Sequence, residues 1–476
     1  MPDDLRELIK VFEEKGLLKR VKERVRVELE LAEIVRRTFR RRGPALLFEN
    51  VEGFEIPVLA NIFGTEERVL LALGADSYDR VAERLKVILE LPRRRLRIRS
   101  ILDAFKAYRS ARPRLVSRAP CKEVVLLDEE VKLTKLPAIK SWPKEAGRFI
   151  TYPLVFTKDP EDGSRNVGVY RMQIFDEHTT GMHWQLHKHG ALHLAKAGSE
   201  PLEVAVALGG DPALMLTAAM PLPKSVDEVL MAGILKGAPI KLVKCETVDL
   251  EVPAGAEIVL EGYVDPREVK LEGPFGDHTG YYTPPKPCHV FKVKCMTMRG
   301  SPIYPAWVEG KPPTEGAVLQ RVFQRIALPM VKTLLPEVVD LNFPPEACYH
   351  GLCIVSIRKM YPGHAKRVMM GLWGLEPFHL VKIMVVVDED INVHDLSQVL
   401  WAISTRVDPA RDILLLEHTP LDELDHAAPA LALGSRMGID ATKKLREEVG
   451  RSTPEVLEDD EEVKRKVDEL WARLGL

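Results

Sequence analysis

Ile150-Thr-Tyr-Pro-Leu-Val-Phe-Thr-Lys-Asp159, Asn166-Val-Gly-Val-Tyr-Arg-Met-Gln-Ile-Phe-Asp176, Glu257-Ile-Val-Leu-Glu-Gly-Tyr-Val-Asp265 and Cys288-His-Val-Phe-Lys-Val-Lys-Cys-Met-Thr-Met-Arg-Gly300 decide the fold. With Val124–Asp128 and Lys241–Val252 they make residues 120 to 300 largely β, punctuated by turns at the intervals of a barrel or sandwich. Helical patterns at Lys188–Ala197 and Val226–Leu235 interrupt them.

On the N-terminal side, residues 3 to 41 read as two helices. Leu5, Leu8, Ile9 and Phe12 form one apolar stripe and Leu29, Leu31, Ile34 and Val35 another, separated by Gly16 and a strand-like Leu17–Val27. Short β runs fill Ala45–Phe63, and helix returns at Thr65–Leu73 and Tyr78–Leu91. On the C-terminal side, Glu315–Leu335 has helical periodicity that Pro329 should kink or restart. Beyond it strand and helix alternate, the pattern of an α/β domain with a sheet. The tail is a charged amphipathic helix whose Val463, Val467, Leu470 and Leu474 face wants a partner surface. The expected division is 1–115 mixed α/β, 116–314 β-rich, 315–336 linker helix, 337–450 α/β and 451–476 terminal helix.

The 476 residues are 46 % hydrophobic and 29 % charged, an ordinary globular composition long enough for several domains. Lys plus Arg number 68 and Asp plus Glu 70, a net charge of −2, so no global field favours nucleic acid. Two basic runs, at Arg36, Arg37, Arg40, Arg41, Arg42 and at Arg93, Arg94, Arg95, Arg97, Arg99, read as solvated or ion-paired faces. Six cysteines without a C-x-x-C pair fit neither a disulfide framework nor a zinc ribbon. Cys348, His350 and Cys353 lack a fourth ligand at familiar spacing. The acidic N-terminus does not read as a secretory signal, and no stretch reaches the ~18 apolar residues of a membrane span, so a cytoplasmic location is expected. Five Asn and five Gln amid abundant Arg, Lys and Glu match the bias of heat-adapted proteins.

Chemistry concentrates in two places. Five of the 13 histidines lie between 178 and 193, in and around Met182-His183-Trp-Gln-Leu-His187-Lys188-His189, just after Asn166 and Arg171. His183 and His187 stand at i, i+4 as in a zinc peptidase, but Trp184 occupies the general-base position and cannot activate water. Hard-cation coordination suits the segment better: an Asn carbonyl, a His nitrogen and a distant Glu could hold Mn²⁺ or Mg²⁺ while leaving positions for phosphate oxygens. The second place is Leu271-Glu272-Gly-Pro-Phe-Gly-Asp277-His278-Thr-Gly-Tyr281-Tyr282. Its Gly-Pro and Gly turn the chain so that Glu272 and Asp277 could face one cavity. Two carboxylates beside an arginine in a partly apolar pocket can have their pKa values pushed apart, leaving one protonated as a general acid.

These segments, in this order, resemble the UbiD family of non-oxidative decarboxylases, which use prenylated FMN. The resemblance covers most of the chain and includes GPALLFENVEGF, NVGVYRMQ, MHWQLHKHGA, EGPFGDHTGYY, LWAISTRVDP and GSRMGIDATKK. It implies an α/β (α+β) architecture: a split β-barrel flavin-binding domain, a linker helix and a C-terminal α/β oligomerisation domain. It implies Asn166, His189 and Glu228 as metal ligands, for Mn²⁺ or Mg²⁺, with K⁺ as a further ion. Val169, Tyr170, Arg171, His183, Trp184, Gln185, Lys188, His189 and Arg436 fall at flavin contacts, Arg436 replacing a frequent lysine. Arg171, Glu272 and Asp277 match the catalytic arginine and two acids, Asp277 as proton donor.

The implied reaction is decarboxylation of an α,β-unsaturated or aromatic acid, either a 4-hydroxybenzoate type used in quinone synthesis or anhydromevalonate phosphate of a modified mevalonate route. A flavin prenyltransferase is the implied supplier of cofactor, and a homo-oligomer, dimer or hexamer, the implied assembly. A flavin-binding scaffold that has lost catalysis is the alternative, against which the joint presence of Arg171, Glu272 and Asp277 argues.

Overall fold

The computed structural model describes residues 1–89, 98–185, 188–220, 222, 226–348, 351–375, 378–450, 454–457 and 460–474. Arg93, Arg94, Arg95, Arg97, His187 and His350 lie outside the described residues, as does the side chain of Arg99.

The β-rich middle forms a seven-stranded sheet. Its order is Thr179–Met182, Lys286–Met298, Ile258–Glu272, Leu202–Leu208, Pro153–Lys158, Arg165–Val169, with Val124–Leu127 pairing on Lys286–Met298. Among the described residues the path does not close on itself into a barrel. Its spine is the antiparallel pair Ile258–Glu272 and Lys286–Met298, whose register shifts between Glu261 and Gly262 and again between Val264 and Val269. Gly262 has a local reason: a Cβ there would meet the Lys292 carbonyl oxygen at 1.9 Å.

One face of this sheet shares a core with the N-terminal region. Asp4 caps Leu5–Glu14 by accepting from the backbone N–H groups of Arg6 and Glu7 at 3.0 and 2.9 Å. The stripe Leu5, Leu8, Ile9, Phe12 is buried as its periodicity requires, in one cluster with Leu154, Phe156 and Ala205. Each such side chain contributes ~1.5–3 kcal/mol by leaving water. In the first basic run Arg36 and Arg37 each meet Glu33 at 2.7 Å, while Arg40, Arg41 and Arg42 are exposed.

Glu315–Leu334 is one helix that runs on through Pro329, so the chain does not restart a helix there. Its first half, Leu319, Val322, Phe323 and Ile326, sits in the core beneath the central sheet, while Val331 and Leu335 sit in the C-terminal core. Anchoring both halves in different cores outweighs the ~3 kcal/mol that an interior proline costs. The C-terminal sheet has the order Val338–Asn342, Leu352–Ile357, Ile383–Asp388, Leu433–Asp440, Ile413–Pro420, parallel in the middle and antiparallel at both edges. Val463, Val467, Leu470 and Leu474 of the terminal helix are exposed.

Candidate active site

The end of the Ile258–Glu272 strand, the turn that follows it and the end of the Arg165–Val169 strand converge on one buried chain of charges. Arg171 Nε donates to Glu272 Oε1 at 3.1 Å, and Arg171 Nη1 donates to Asp277 Oδ2. Glu272 is 1 % exposed and Asp277 6 %. Phe275 stacks under the guanidinium with its ring centroid 4.5 Å away, so the ion triad has an apolar floor. Each end of the triad meets a histidine. His183 Nδ1 lies 2.8 Å from Glu272 Oε2, and His278 Nδ1 lies 2.9 Å from Asp277 Oδ1.

The protonation states follow from these contacts. Burial pushes both carboxyls up. For Glu272 the His183 hydrogen bond and the Arg171 charge outweigh it and hold the group at about 2. For Asp277 the Arg171 and His278 charges outweigh it and hold the group well below the usual carboxylate range. Both carboxyls are thus held below the usual carboxylate range, because the arginine is bonded to both at once rather than to Glu272 alone.

The turn carrying Asp277 is held from three sides. Glu145 accepts from Ser141 N at 2.6 Å, Trp142 N at 3.1 Å and Gly276 N at 3.1 Å. Trp142 lies flat against Gly276, where a Cβ would meet its Cδ1 at 2.1 Å. Thr283 Oγ1 reaches Asp277 Oδ2 at 3.4 Å. From the C-terminal domain, Lys286 pairs with Glu423, and His426 Nε2 lies 3.3 Å from Thr279 Oγ1. The Leu421–His426 stretch thus covers the turn.

A second cluster forms at the start of the same strand. Asn166 Oδ1 lies 3.2 Å from His189 Nδ1, and Glu228 Oε1 lies 3.8 Å from the same nitrogen. Asp227 accepts from Val229 N at 2.8 Å, capping the helix Glu228–Lys236 and fixing Glu228 at its first turn. Glu228 Oε2 accepts from Val167 N at 3.1 Å. Asn166 Nδ2 donates to Thr157 Oγ1, its cross-strand partner, at 3.3 Å, which turns Oδ1 toward His189. Thr157 Oγ1 in turn lies 2.9 Å from His193 Nδ1. An amide oxygen, an imidazole nitrogen and a carboxylate within this span suit a hard divalent cation.

Between the clusters runs the segment the resemblance assigns to flavin. Tyr170 is buried, its ring edge-on to Trp184 at 6.5 Å, and burial raises its hydroxyl to about 12. Among the described residues, His183 Nε2 and Trp184 Nε1 are buried without a hydrogen-bond partner, which leaves them able to meet a polar ligand. Val169 is half-buried against the N-terminal core, and Gln185 and Lys188 stand at the open side. These residues would suit a flavin and a divalent cation, with Asn166, His189 and Glu228 as the cation's donors. Arg436 stands apart: its Nε donates to Thr419 Oγ1 at 3.1 Å and its Nη2 to the carbonyls of His379, at 2.8 Å, and Pro420, all in its own domain. Sequence reasoning left out Thr157, His193, Glu145 and Trp142. Register with Asn166 marks Thr157 and the histidine-rich segment 178–193 contains His193, but nothing local marks Glu145 or Trp142.

Comparison with known proteins agrees with this geometry. Residues 9–87, 114–312 and 317–441 match the N-terminal, Rift-related and C-terminal domains of 3-octaprenyl-4-hydroxybenzoate carboxy-lyase. An uncharacterised protein of Archaeoglobus fulgidus is 51 % identical over 98 % of both chains. Vanillic acid decarboxylase of Sedimentibacter hydroxybenzoicus in its closed form is 31 % identical over 99 % of both chains, with a TM-score of 0.87. Its open form, also covering 99 % of both chains, is matched at 30 % identity with a TM-score of 0.79. The UbiD-class enzyme HmfF of Pelotomaculum thermopropionicum in complex with FMN is 32 % identical over 98 % of this chain and 99 % of its own, with a TM-score of 0.82. An evolved dimeric form of HmfF, in complex with prenylated FMN, covers 97 % of this chain and 98 % of its own at 32 % identity and a TM-score of 0.79. Three consecutive domain matches, near-complete coverage and a buried arginine between two acids lead to one conclusion: the chain belongs to the UbiD family of carboxy-lyases.

Proposed function

We propose that the protein removes CO₂ from an α,β-unsaturated or aromatic carboxylic acid, with prenylated FMN and a divalent cation as its bound groups. The observation that carries this reading is the buried chain His183, Glu272, Arg171, Asp277, His278 beside a hard-cation donor set. Loss of CO₂ leaves an electron pair on carbon that no side chain absorbs, and prenylated FMN supplies the electron sink when bound. Asn166, His189 and Glu228 would hold Mn²⁺ or Mg²⁺ at the flavin phosphate. Tyr170, His183, Trp184, Gln185 and Lys188 would line the flavin.

Arg171 binds and orients the substrate carboxylate while keeping Glu272 ionised. The Phe275 floor and the cover from the C-terminal domain exclude water, which strengthens these charges. A substrate carboxylate on Arg171 brings a third negative charge and competes for the guanidinium, so the pull that holds Asp277 ionised weakens. Asp277 then takes up a proton and delivers it to the carbon that lost CO₂.

The test is to co-produce the chain with a flavin prenyltransferase and Mn²⁺, extract the ligand anaerobically and weigh it. CO₂ release is then followed from vanillate, 4-hydroxybenzoate and anhydromevalonate phosphate. The mass of prenylated FMN with CO₂ from one acid is the expected result. Plain FMN or no flavin on a folded, metal-loaded protein overturns it.

A further inference from the structure

The proton that Asp277 delivers has to be replaced before the next turnover. The side chain already in contact with it that can carry an exchangeable proton is His278, the next residue in the turn. Its Nδ1 lies 2.9 Å from Asp277 Oδ1, and its backbone N–H donates to the same oxygen at 2.7 Å. The neighbouring oxygen, Oδ2, carries Arg171 and Thr283. The two oxygens of Asp277 are thus divided, one toward the substrate-binding arginine and one toward the imidazole.

The charges around His278 come from every side of the turn. Besides Asp277 it feels Glu309 and Asp422, both of which favour its imidazolium form. Glu309 is fixed by Trp307 Nε1 at 2.6 Å and Thr314 Oγ1 at 2.7 Å. Asp422 comes from the C-terminal domain and also faces Lys188. Burial works against the charged imidazole, and the three carboxylates outweigh it, so its pKa is raised. The side chain keeps 15 % exposure, which leaves a route for exchange with solvent.

We propose that His278 is the positioning residue that stores the proton for Asp277 and reloads it once per turnover, with Asp422 of the C-terminal domain favouring its charged form. The step balances simply. The Nδ1–H bond of the imidazolium breaks and an O–H bond forms on Asp277. That proton replaces CO₂ on the substrate carbon, and the neutral imidazole takes its next proton from solvent. The proposal rests on the decarboxylase reading for its purpose, but the seat of the proton is measurable without turnover.

The experiment follows ¹⁵N-histidine signals of the cofactor-loaded protein across pH, with His278→Gln assigning the resonance. His278 should titrate above the ordinary value of ~6.5. Asp277→Asn should bring the midpoint down, and Asp422→Asn should bring it down less. In turnover, using the acid that releases CO₂, His278→Gln should lower kcat about 100-fold with KM little changed, and added imidazole should restore part of it. The alkaline limb of the wild-type profile should follow the NMR midpoint and move to lower pH in Asp422→Asn. That variant also keeps the proposal testable if His278→Gln does not fold. A neutral His278 at neutral pH in the wild type, or an unshifted alkaline limb in Asp422→Asn, overturns the proposal. Failure of the decarboxylase reading looks different: no CO₂ from wild type and the wrong flavin mass, with the NMR midpoints unaffected.

Discussion

Arg171 joins Glu272 and Asp277 into one unit, its Nε 3.1 Å from Glu272 Oε1 and its Nη1 on Asp277 Oδ2, across 101 and 106 residues of sequence. The guanidinium, not the turn between the acids, is what makes them a site, since a planar fork can serve two carboxylates at once.

Arg171→Gln leaves two buried carboxylates without their cation. Such a loss costs ~3–5 kcal/mol. Urea denaturation should show it, and CO₂ release should fall below detection. Arg171→Lys should restore charge and part of the stability but little turnover, because an ammonium cannot bridge both acids.

Glu272 ties stability to acid pH. Its folded pKa, about 2, lies below the unfolded ~4.3. The stabilisation is therefore complete above ~4.3 and is lost as pH falls toward the folded value, an effect on the order of 3 kcal/mol. In Glu272→Gln the denaturation midpoint should be lower at neutral pH and flatter across that acid window.

Glu228 has two duties, facing His189 and accepting from Val167 N at 3.1 Å. Glu228→Gln should weaken Mn²⁺ binding, read by titration calorimetry, more than about tenfold. Secondary structure should survive, because the amide oxygen still accepts from Val167.

Gly276→Ala would place a Cβ 2.1 Å from Trp142 Cδ1. Either the indole or the turn must shift, at ~1–3 kcal/mol. Because the same turn carries Asp277, kcat should fall further than stability alone accounts for, with Mn²⁺ affinity unchanged. Equal affinity in the variant and the wild type checks that the metal cluster is independent of the turn.

Local patterns were legible where one face of an element is buried. The stripe Leu5, Leu8, Ile9, Phe12 specifies a helix from neighbours in sequence alone, and the run Glu257–Asp265, bounded by turn residues, falls in the Ile258–Glu272 strand. Pro329 misled for the complementary reason: two separate cores grip the helix on either side of it, and no local pattern reports that. Ile98–Ala111 and Leu433–Asp440 carry no local signal that names them, the latter a strand placed between one parallel and one antiparallel neighbour by the sheet around it.

The motifs by themselves determined which residue types the protein has for its chemistry: an arginine, two acids, a histidine-rich segment and an Asn–His–Glu donor set. Their spacing along the chain also set the turn between Glu272 and Asp277. Only the tertiary structure decided the charge state of those acids, since it depends on distances of about 3 Å between groups a hundred residues apart. It put His183 on Glu272, His278 on Asp277, and Arg436 on Thr419 and the carbonyls of His379 and Pro420. A pKa is a property of surroundings, and folding alone brings those surroundings together.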